Sequence, residues 1–179
     1  MKLALVRLLL ILLLFIHLSG CKKDHTVSQG QKILFQQEHV NYAWGYQHYG
    51  FIIDGEGNVL TYDNPDKWNF PDKNNSLTDL QVNENISLCK LTGRKIPKAE
   101  LQKYANYINL IASSKVTAPK HAAADMGSLV YYCYQYSESS SAYKVATIKM
   151  EGDIECENLN FFSKRVVAWM KDISLNIVR

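Results

Sequence analysis

The chain has 179 residues and a formal net charge of +3, and its lysines and arginines are scattered along the sequence. A nucleic-acid-binding domain concentrates such residues in one basic patch, so the composition argues against a nucleic-acid partner. Roughly 150 residues follow the N-terminal segments described next, which is enough for one hydrophobic core.

The first twenty residues are typical of a signal peptide for export. Lys2 and Arg7 give the segment a basic start, and residues 8–16 form an unbroken apolar run. This run is too short to cross the hydrocarbon core of a bilayer, which needs roughly 20 apolar residues, so it is typical of the apolar region of a cleaved signal. Cleavage would remove two cations and no acid, which brings the remaining chain close to neutral.

The signal ends in the sequence Leu18-Ser19-Gly20-Cys21. These residues resemble the lipobox of bacterial lipoproteins, in which an aliphatic residue and two small residues precede a cysteine. The resemblance implies that Cys21 becomes the first residue of the mature protein and carries acyl chains such as palmitate. Two or more chains anchor a protein stably in a membrane, whereas one chain binds reversibly.

Residues 21–30 are polar and predict a flexible tether between membrane and domain. In enterobacterial lipoproteins, an aspartate directly after the acylated cysteine retains the protein at the inner membrane. This chain has Lys22 there, so the resemblance favours the outer membrane, with the domain facing the periplasm or the cell surface. The signal, the lipobox and the composition together resemble the small uncharacterised envelope lipoproteins of Bacteroidota.

The remaining residues, 31–179, predict a single domain that begins with strands. A strand is predicted over 32–42. Two β-rich runs within 49–63 flank the glycine-containing turn 54–58 and predict a hairpin. Residues 64–75 contain two prolines and predict a long loop.

Helices are predicted in the middle and at the end of the chain. Ser76, with Asp79 three residues on, predicts the N-cap of a helix that ends near Lys90. A second helix is predicted to begin near Pro97, and a last one near Asn160.

Two strongly β segments, 128–136 and 143–150, lie between these helices and predict a second hairpin. Strands and helices occur in groups rather than in single alternation, which argues against a parallel βαβ sheet. The predicted architecture is α+β, with a mainly antiparallel sheet and two or three helices packed on one face.

Residues 41–51, NYAWGYQHYGF, are the densest aromatic stretch. Flat rings with polar edges suit the recognition of a sugar or a peptide, so Trp44, Tyr46 and His48 are candidate ligand-binding residues. The alternative is that these rings form a core with one exposed edge. Trp68, in the proline-containing loop, is a fourth candidate, because loops on a rigid scaffold often carry binding residues.

With Cys21 acylated, the remaining cysteines are Cys89, Cys133 and Cys156. A disulfide between Cys133 and Cys156 would close a loop of about 24 residues and stabilise the fold by roughly 3 kcal/mol; reduced, buried thiols are the alternative. No cysteine or histidine spacing predicts a metal site. A cysteine nucleophile would need His121 beside Cys89 or Cys133.

The sequence contains no serine nucleophile elbow, phosphate-binding loop or dinucleotide fingerprint, and it predicts no cofactor. It therefore favours a non-enzymatic, lipid-anchored envelope protein that binds a protein or a glycan. The alternatives are an envelope hydrolase with a Cys/His pair and a structural subunit of an envelope assembly.

Overall fold

The computed structural model describes residue 28 and residues 30–177, so the predicted signal, the lipobox and most of the tether lie outside the described residues. Within the described part of the chain, nine strands join in one sheet and four helices pack against it. Every pairing between these strands is antiparallel. The predicted α+β class is therefore confirmed.

The strands are joined in the order β5-β3-β2-β1-β7-β8-β9-β6, and β4 pairs with β8 beside this row. Along the chain, the elements are β1 (Ile33–Asn41), β2 (Gln47–Asp54), β3 (Asn58–Asp63), β4 (Ser76–Thr78), α1 (Asp79–Ser87), β5 (Lys90–Lys95), α2 (Lys98–Ala105), α3 (Ile108–Ala112), β6 (Lys120–His121), β7 (Ser128–Ser137), β8 (Ala142–Gly152), β9 (Ile154–Glu157) and α4 (Ser163–Leu175).

One face of the sheet is covered by three helices, α2, α3 and α4. Its core joins Phe35 and Tyr131 of the sheet to Ile111 of α3 and to Val166 and Met170 of α4. Burying an apolar side chain of this size stabilises a fold by about 1.5–3 kcal/mol. The predicted packing of helices on one face is thus confirmed.

The opposite face is covered by α1, β4 and the loop of residues 64–75. Its core joins Ile52 and Leu60 of the sheet to Leu77 of β4 and Val82 of α1. The sheet therefore has a hydrophobic core on each face, and the second core holds a helix that the sequence did not place there.

The boundaries of the middle helices differ from the prediction. The N-cap of α1 is Thr78, whose hydroxyl accepts the Gln81 N–H at 3.2 Å, while the Gln81 side chain accepts the Thr78 N–H at 2.9 Å. This reciprocal pair is a capping box. The predicted N-cap, Ser76, instead lies in β4 opposite Lys144 of β8. The second predicted helix is interrupted at Asn106 and forms α2 and α3.

Strand β1 connects the two ends of the sheet. Its first residue, Ile33, follows Gly30, which lies against the ring of Tyr136; we call this the tether end. Its last residue, Asn41, leads into the loop of residues 42–46, which we call the hairpin end. Nine residues of strand span about 30 Å, so the loop lies far from the point at which the chain enters the domain.

Candidate functional site

Three aromatic side chains project from the loop that joins β1 and β2. The exposed fractions are 72% for Tyr42, 78% for Trp44 and 48% for Tyr46; we call these residues the aromatic hairpin. The Tyr42 and Tyr46 rings lie 5.3 Å apart. A Cβ added at Gly45, where φ is +97°, would meet no described atom within 4 Å. The tip of the hairpin is therefore a protrusion into solvent.

Two asparagines fix the base of the aromatic hairpin. Buried Asn41 accepts the Ala43 N–H at 2.8 Å and donates to the Asp125 carbonyl at 3.2 Å. Asn64 accepts the His48 N–H through its side chain and donates its own N–H to the His48 carbonyl, both at 2.7 Å. These bonds hold the hairpin in one conformation, and such preorganisation lowers the entropy cost of binding.

His48 lies beneath the aromatic hairpin and has no exposed surface. Its ring centroid is 6.1 Å from that of Tyr46 and 5.2 Å from those of Trp68 and Phe70. Trp68, which is half-buried, stacks on Tyr62 at 4.2 Å. Of the four predicted binding residues, Trp44 and Tyr46 thus lie on the surface, whereas His48 and Trp68 support it from below.

A buried polar network surrounds His48 on this face of the sheet. The Glu38 carboxylate accepts hydrogen bonds from His48 Nε2 at 2.8 Å and from the side-chain amide of Gln36 at 3.2 Å. The same Gln36 amide donates to the Tyr62 hydroxyl at 2.8 Å, and the side-chain oxygen of Gln36 accepts a hydrogen bond from the Tyr134 hydroxyl. These bonds offset the cost of burying polar groups. The network therefore gives the hairpin a rigid support.

The ionisation of the network follows from its burial. Burial, and then the charge of Glu38, raise the pKa of the hydroxyls of Tyr62, Tyr132 and Tyr134. These tyrosines are therefore neutral near pH 7. The Nδ1 atom of His48 is buried and has no hydrogen-bond partner among the described residues, so its ring is held through Nε2. A network enclosed in this way is suited to holding structure rather than to reacting with a substrate.

No family model, curated protein or solved structure matches the chain. Among the described helices, none is long and apolar enough to span a membrane. Within the same residues, no three His, Cys, Asp or Glu side chains are grouped so as to hold a metal ion.

A groove of about 760 Å³ lies at the tether end, between α1 and α2. Leu34 and Leu101 contribute apolar surface to it, and Lys32 and Asp54 are among its polar groups. Lys32 pairs with Asp79 at 2.7 Å, and Asp54 accepts backbone N–H groups of its own turn. These charges already have partners within the fold, and no residue of the aromatic hairpin lines the groove.

The predicted disulfide is absent, because Cys133 and Cys156 are free thiols. Cys133 pairs with Ala146 on one side of β8, and Cys156 pairs with Met150 on the other side. The two cysteines are therefore separated by a strand and by four positions along it. The Cα atoms of a disulfide lie within about 7 Å, so the disulfide interpretation is wrong. Both cysteines are free thiols, of which Cys133 is buried and Cys156 is half-buried.

The structure does not assemble the Cys/His pair that the alternative hydrolase hypothesis requires. His121 lies in β6 at one edge of the sheet, and Cys89 precedes β5 at the other edge. Burial raises the pKa of Cys89 and Cys133 to about 12, and the Cys89 thiol donates to the Asn85 carbonyl at 3.2 Å. A cysteine nucleophile needs the opposite shift, toward the thiolate.

The raised pKa values predict slow alkylation of Cys89 and Cys133 in the folded protein. At pH 8 a thiol of pKa about 12 carries about 1,000-fold less reactive thiolate than an ordinary one, because each pH unit below the pKa is a factor of ten. The labelling rate should rise with pH up to about 12. Iodoacetamide labelling, read by peptide mass spectrometry, measures this, with urea-unfolded protein as the control. Fast labelling of either residue at pH 8 would contradict the assignment.

The buried network is the part of the site that sequence analysis missed. Gln36 and Glu38 are two residues apart in β1, so both point to one face, as do Tyr132 and Tyr134 in β7. Two polar residues at such a spacing in a strand are the signal that could have indicated the network. The β1–β7 pairing brings the side chains of both strands into the same core. Local sequence does not show this pairing.

Proposed function

We propose that this protein is a non-enzymatic, lipid-anchored binding module of the bacterial cell envelope, and that its aromatic hairpin contacts a partner protein. The observation that carries the proposal is the exposed Trp44, held at the tip of a protrusion whose base is fixed by buried Asn41. Tryptophan and tyrosine are the residue types most enriched among those that dominate binding energy at protein interfaces.

The shape of the hairpin favours a protein over a glycan. Small-molecule sites are concave, whereas the hairpin projects outward. A convex aromatic anchor fits a pocket on a partner protein, where one buried ring supplies a large share of the affinity. The exposed rings of Tyr42 and Trp44 also suit a sugar, so a glycan is the second candidate.

The point at which the chain enters the domain and the aromatic hairpin lie at opposite ends of β1. Cys21 is outside the described residues, and its acylation is supported by the lipobox resemblance. The chain enters the domain at the tether end, about 30 Å from the hairpin along β1. An anchor at Cys21 would leave the hairpin free to meet a partner away from the membrane.

Photo-crosslinking identifies the partner in intact cells. A benzophenone amino acid at position 44 should give an adduct of discrete mass that contains a second protein. The same amino acid at Leu80, which is 67% exposed on α1, is the matched control and should give none. Glycan-array binding without a protein adduct would favour the glycan instead.

Trp44→Ala should weaken binding to the crosslinked partner by roughly 30- to 1,000-fold, because residues that dominate an interface contribute about 2–4 kcal/mol. Surface plasmon resonance with the purified partner measures the change. Phe161→Ala removes a ring of similar exposure, 74%, far from the hairpin and should bind like wild type. Equal affinity of wild type and Trp44→Ala for the partner would contradict the proposed site.

A further inference from the structure

A second exposed apolar surface lies where α3, the segment of residues 113–119 and the connection from β9 to α4 meet. Its four large side chains are 36–74% exposed, and we call them the apolar corner: Leu110, Val116, Leu159 and Phe161. Contiguous exposed apolar residues on a soluble domain indicate an interaction surface.

The backbone of the corner is fixed by buried Asn158. Its amide donates to the Ile111 carbonyl at 3.0 Å, and its oxygen accepts the Asn160 N–H at 2.9 Å and the Ser163 hydroxyl at 3.1 Å. Leu159 lies between two residues held in this way. Its exposure is therefore imposed by the fold rather than by a loose loop.

Asn160 fixes the other half of the corner. Its amide donates to the Leu110 carbonyl at 3.2 Å, and its oxygen accepts the Phe162 N–H at 2.9 Å. Phe162 stacks on Tyr107 at 4.1 Å and is half-buried, whereas Phe161 points outward. Phe162 thus packs within the fold, whereas its neighbour Phe161 is exposed to solvent.

Cations border the apolar corner. Lys115, Lys164 and Arg165 are exposed, and the Arg165 guanidinium lies 5.1 Å from the Phe161 ring centroid. None of the three forms an ion pair within the described part of the chain. Half-buried Glu157 is the nearest carboxylate along this segment. Cations in the first turn of α4 oppose the helix dipole, so helix stability does not explain Lys164 and Arg165.

The apolar corner belongs to the half of the sheet near the tether end. Asn109 of α3 accepts the Gln135 amide at 2.8 Å, and Lys144 donates to the Ala112 carbonyl at 3.2 Å. Gln135 and Lys144 pair in β7 and β8, next to Tyr136, which touches the incoming chain. The corner therefore lies on the side where the proposed anchor would hold the domain against a membrane.

We infer that the apolar corner docks on the anionic surface of a phospholipid bilayer. Exposed leucine and phenylalanine side chains enter the boundary between headgroups and acyl chains, and surrounding lysines and arginines are attracted to anionic headgroups. The unpaired cations provide the charge complementarity, and the position at the tether end provides proximity. This inference rests on the proposed membrane anchoring but not on the proposed partner of the hairpin.

Fluorescence quenching of Phe161→Trp tests the inference. The protein, as processed by its cells, is reconstituted into phosphatidylcholine vesicles with brominated acyl chains, with or without phosphatidylglycerol. After subtraction of the wild-type signal from the three natural tryptophans, the added emission should fall roughly twofold with phosphatidylglycerol and change little without it. High salt should restore the emission, because it screens the attraction.

Charge reversal provides the matched variants. Lys164→Glu with Arg165→Glu should abolish the quenching of Trp at position 161. Lys67→Glu with Lys73→Glu makes the same change in net charge on the exposed loop of residues 64–75 and should leave the quenching intact. Equal quenching in both pairs, or in both vesicle types, would show that the corner does not select an anionic surface and would overturn the inference.

Two further outcomes would also overturn it. If the protein floats with the vesicles but the added tryptophan is not quenched, the anchoring stands and docking of the corner fails. If the protein does not float at all, the anchoring and the docking fail together. A dimer in sedimentation velocity that is lost in Phe161→Ser would assign the corner to a second copy of the chain.

Discussion

Gly50→Ala is expected to destabilise the domain by more than about 3 kcal/mol, in the range of severe packing mutations. A Cβ at this position would lie less than 3.0 Å from the Gln37 carbonyl oxygen and from the Tyr62 hydroxyl. Gly50 pairs with Glu38 in β1 and with Tyr62 in β3. Because Gly50 has no side chain, the Tyr62 hydroxyl has room to bond to Gln36 in the buried network.

Urea unfolding followed by circular dichroism measures this loss. Gly30→Ala is the matched control, because its added Cβ would meet first a ring carbon of the Tyr136 side chain, at 3.2 Å. A side chain can shift, so that variant should lose less than about 1 kcal/mol. Gly50→Ala with the stability of wild type would mean that Tyr62 does not pack over the glycine and that the network is arranged differently.

Sequence predicted those elements whose residue pattern is local. It missed elements whose structure depends on contacts with distant parts of the chain. Strands β7 and β8 lie close to their predicted bounds, because tyrosine, valine and threonine alternate along them. Strand β5 was missed, because an edge strand is exposed and carries lysines and a glycine rather than an apolar alternation. A glycine within a segment favours a turn in a prediction from local sequence, and Gly93 does adopt a positive φ, +79°, inside the strand.

The candidate site shows the same division. The aromatic density suggested Trp44, Tyr46 and His48 together as ligand-binding candidates. The structure exposes Trp44 and Tyr46, whereas the burial of His48 depends on a distant segment that packs against it. That segment is held by Asn69, whose N–H donates to the Asn85 side chain at 2.8 Å while the Asn85 amide donates to the Asn69 carbonyl at 2.9 Å. This clamp brings Trp68 over His48, and nothing in the local sequence of either segment predicts it.

The apolar corner was missed for a related reason. The last helix was predicted to begin near Asn160, whereas α4 begins at Ser163 and its N-cap residue, Phe162, makes no side-chain hydrogen bond to the helix. Asparagine often caps helices. Here the side chains of Asn158 and Asn160 instead bond to carbonyls at the end of α3 and to backbone N–H groups within the segment of residues 158–162. Their role depends on hydrogen bonds to residues about 50 positions away along the chain, which the local sequence does not predict.

Cys21→Ser is expected to abolish both the proposed acylation and the cleavage of the signal. A serine hydroxyl cannot form the thioether through which Cys21 is proposed to carry acyl chains, so the variant should remain an uncleaved precursor that retains residues 1–20. Two or more acyl chains anchor stably, and each buried methylene contributes about 0.8 kcal/mol. Metabolic labelling with an alkyne analogue of palmitate and intact-mass spectrometry measure both acylation and cleavage.

Cys89→Ser is the matched control for this prediction, since it also removes a single thiol and should be labelled and cleaved like wild type. A labelled or cleaved Cys21→Ser protein would contradict the lipobox assignment. Because the hairpin lies about 30 Å along β1 from the tether end, detergent-solubilised Cys21→Ser should still bind the crosslinked partner through Trp44. Loss of that binding in solution would mean that recognition requires the membrane, and that anchor and hairpin do not act as independent ends of the molecule.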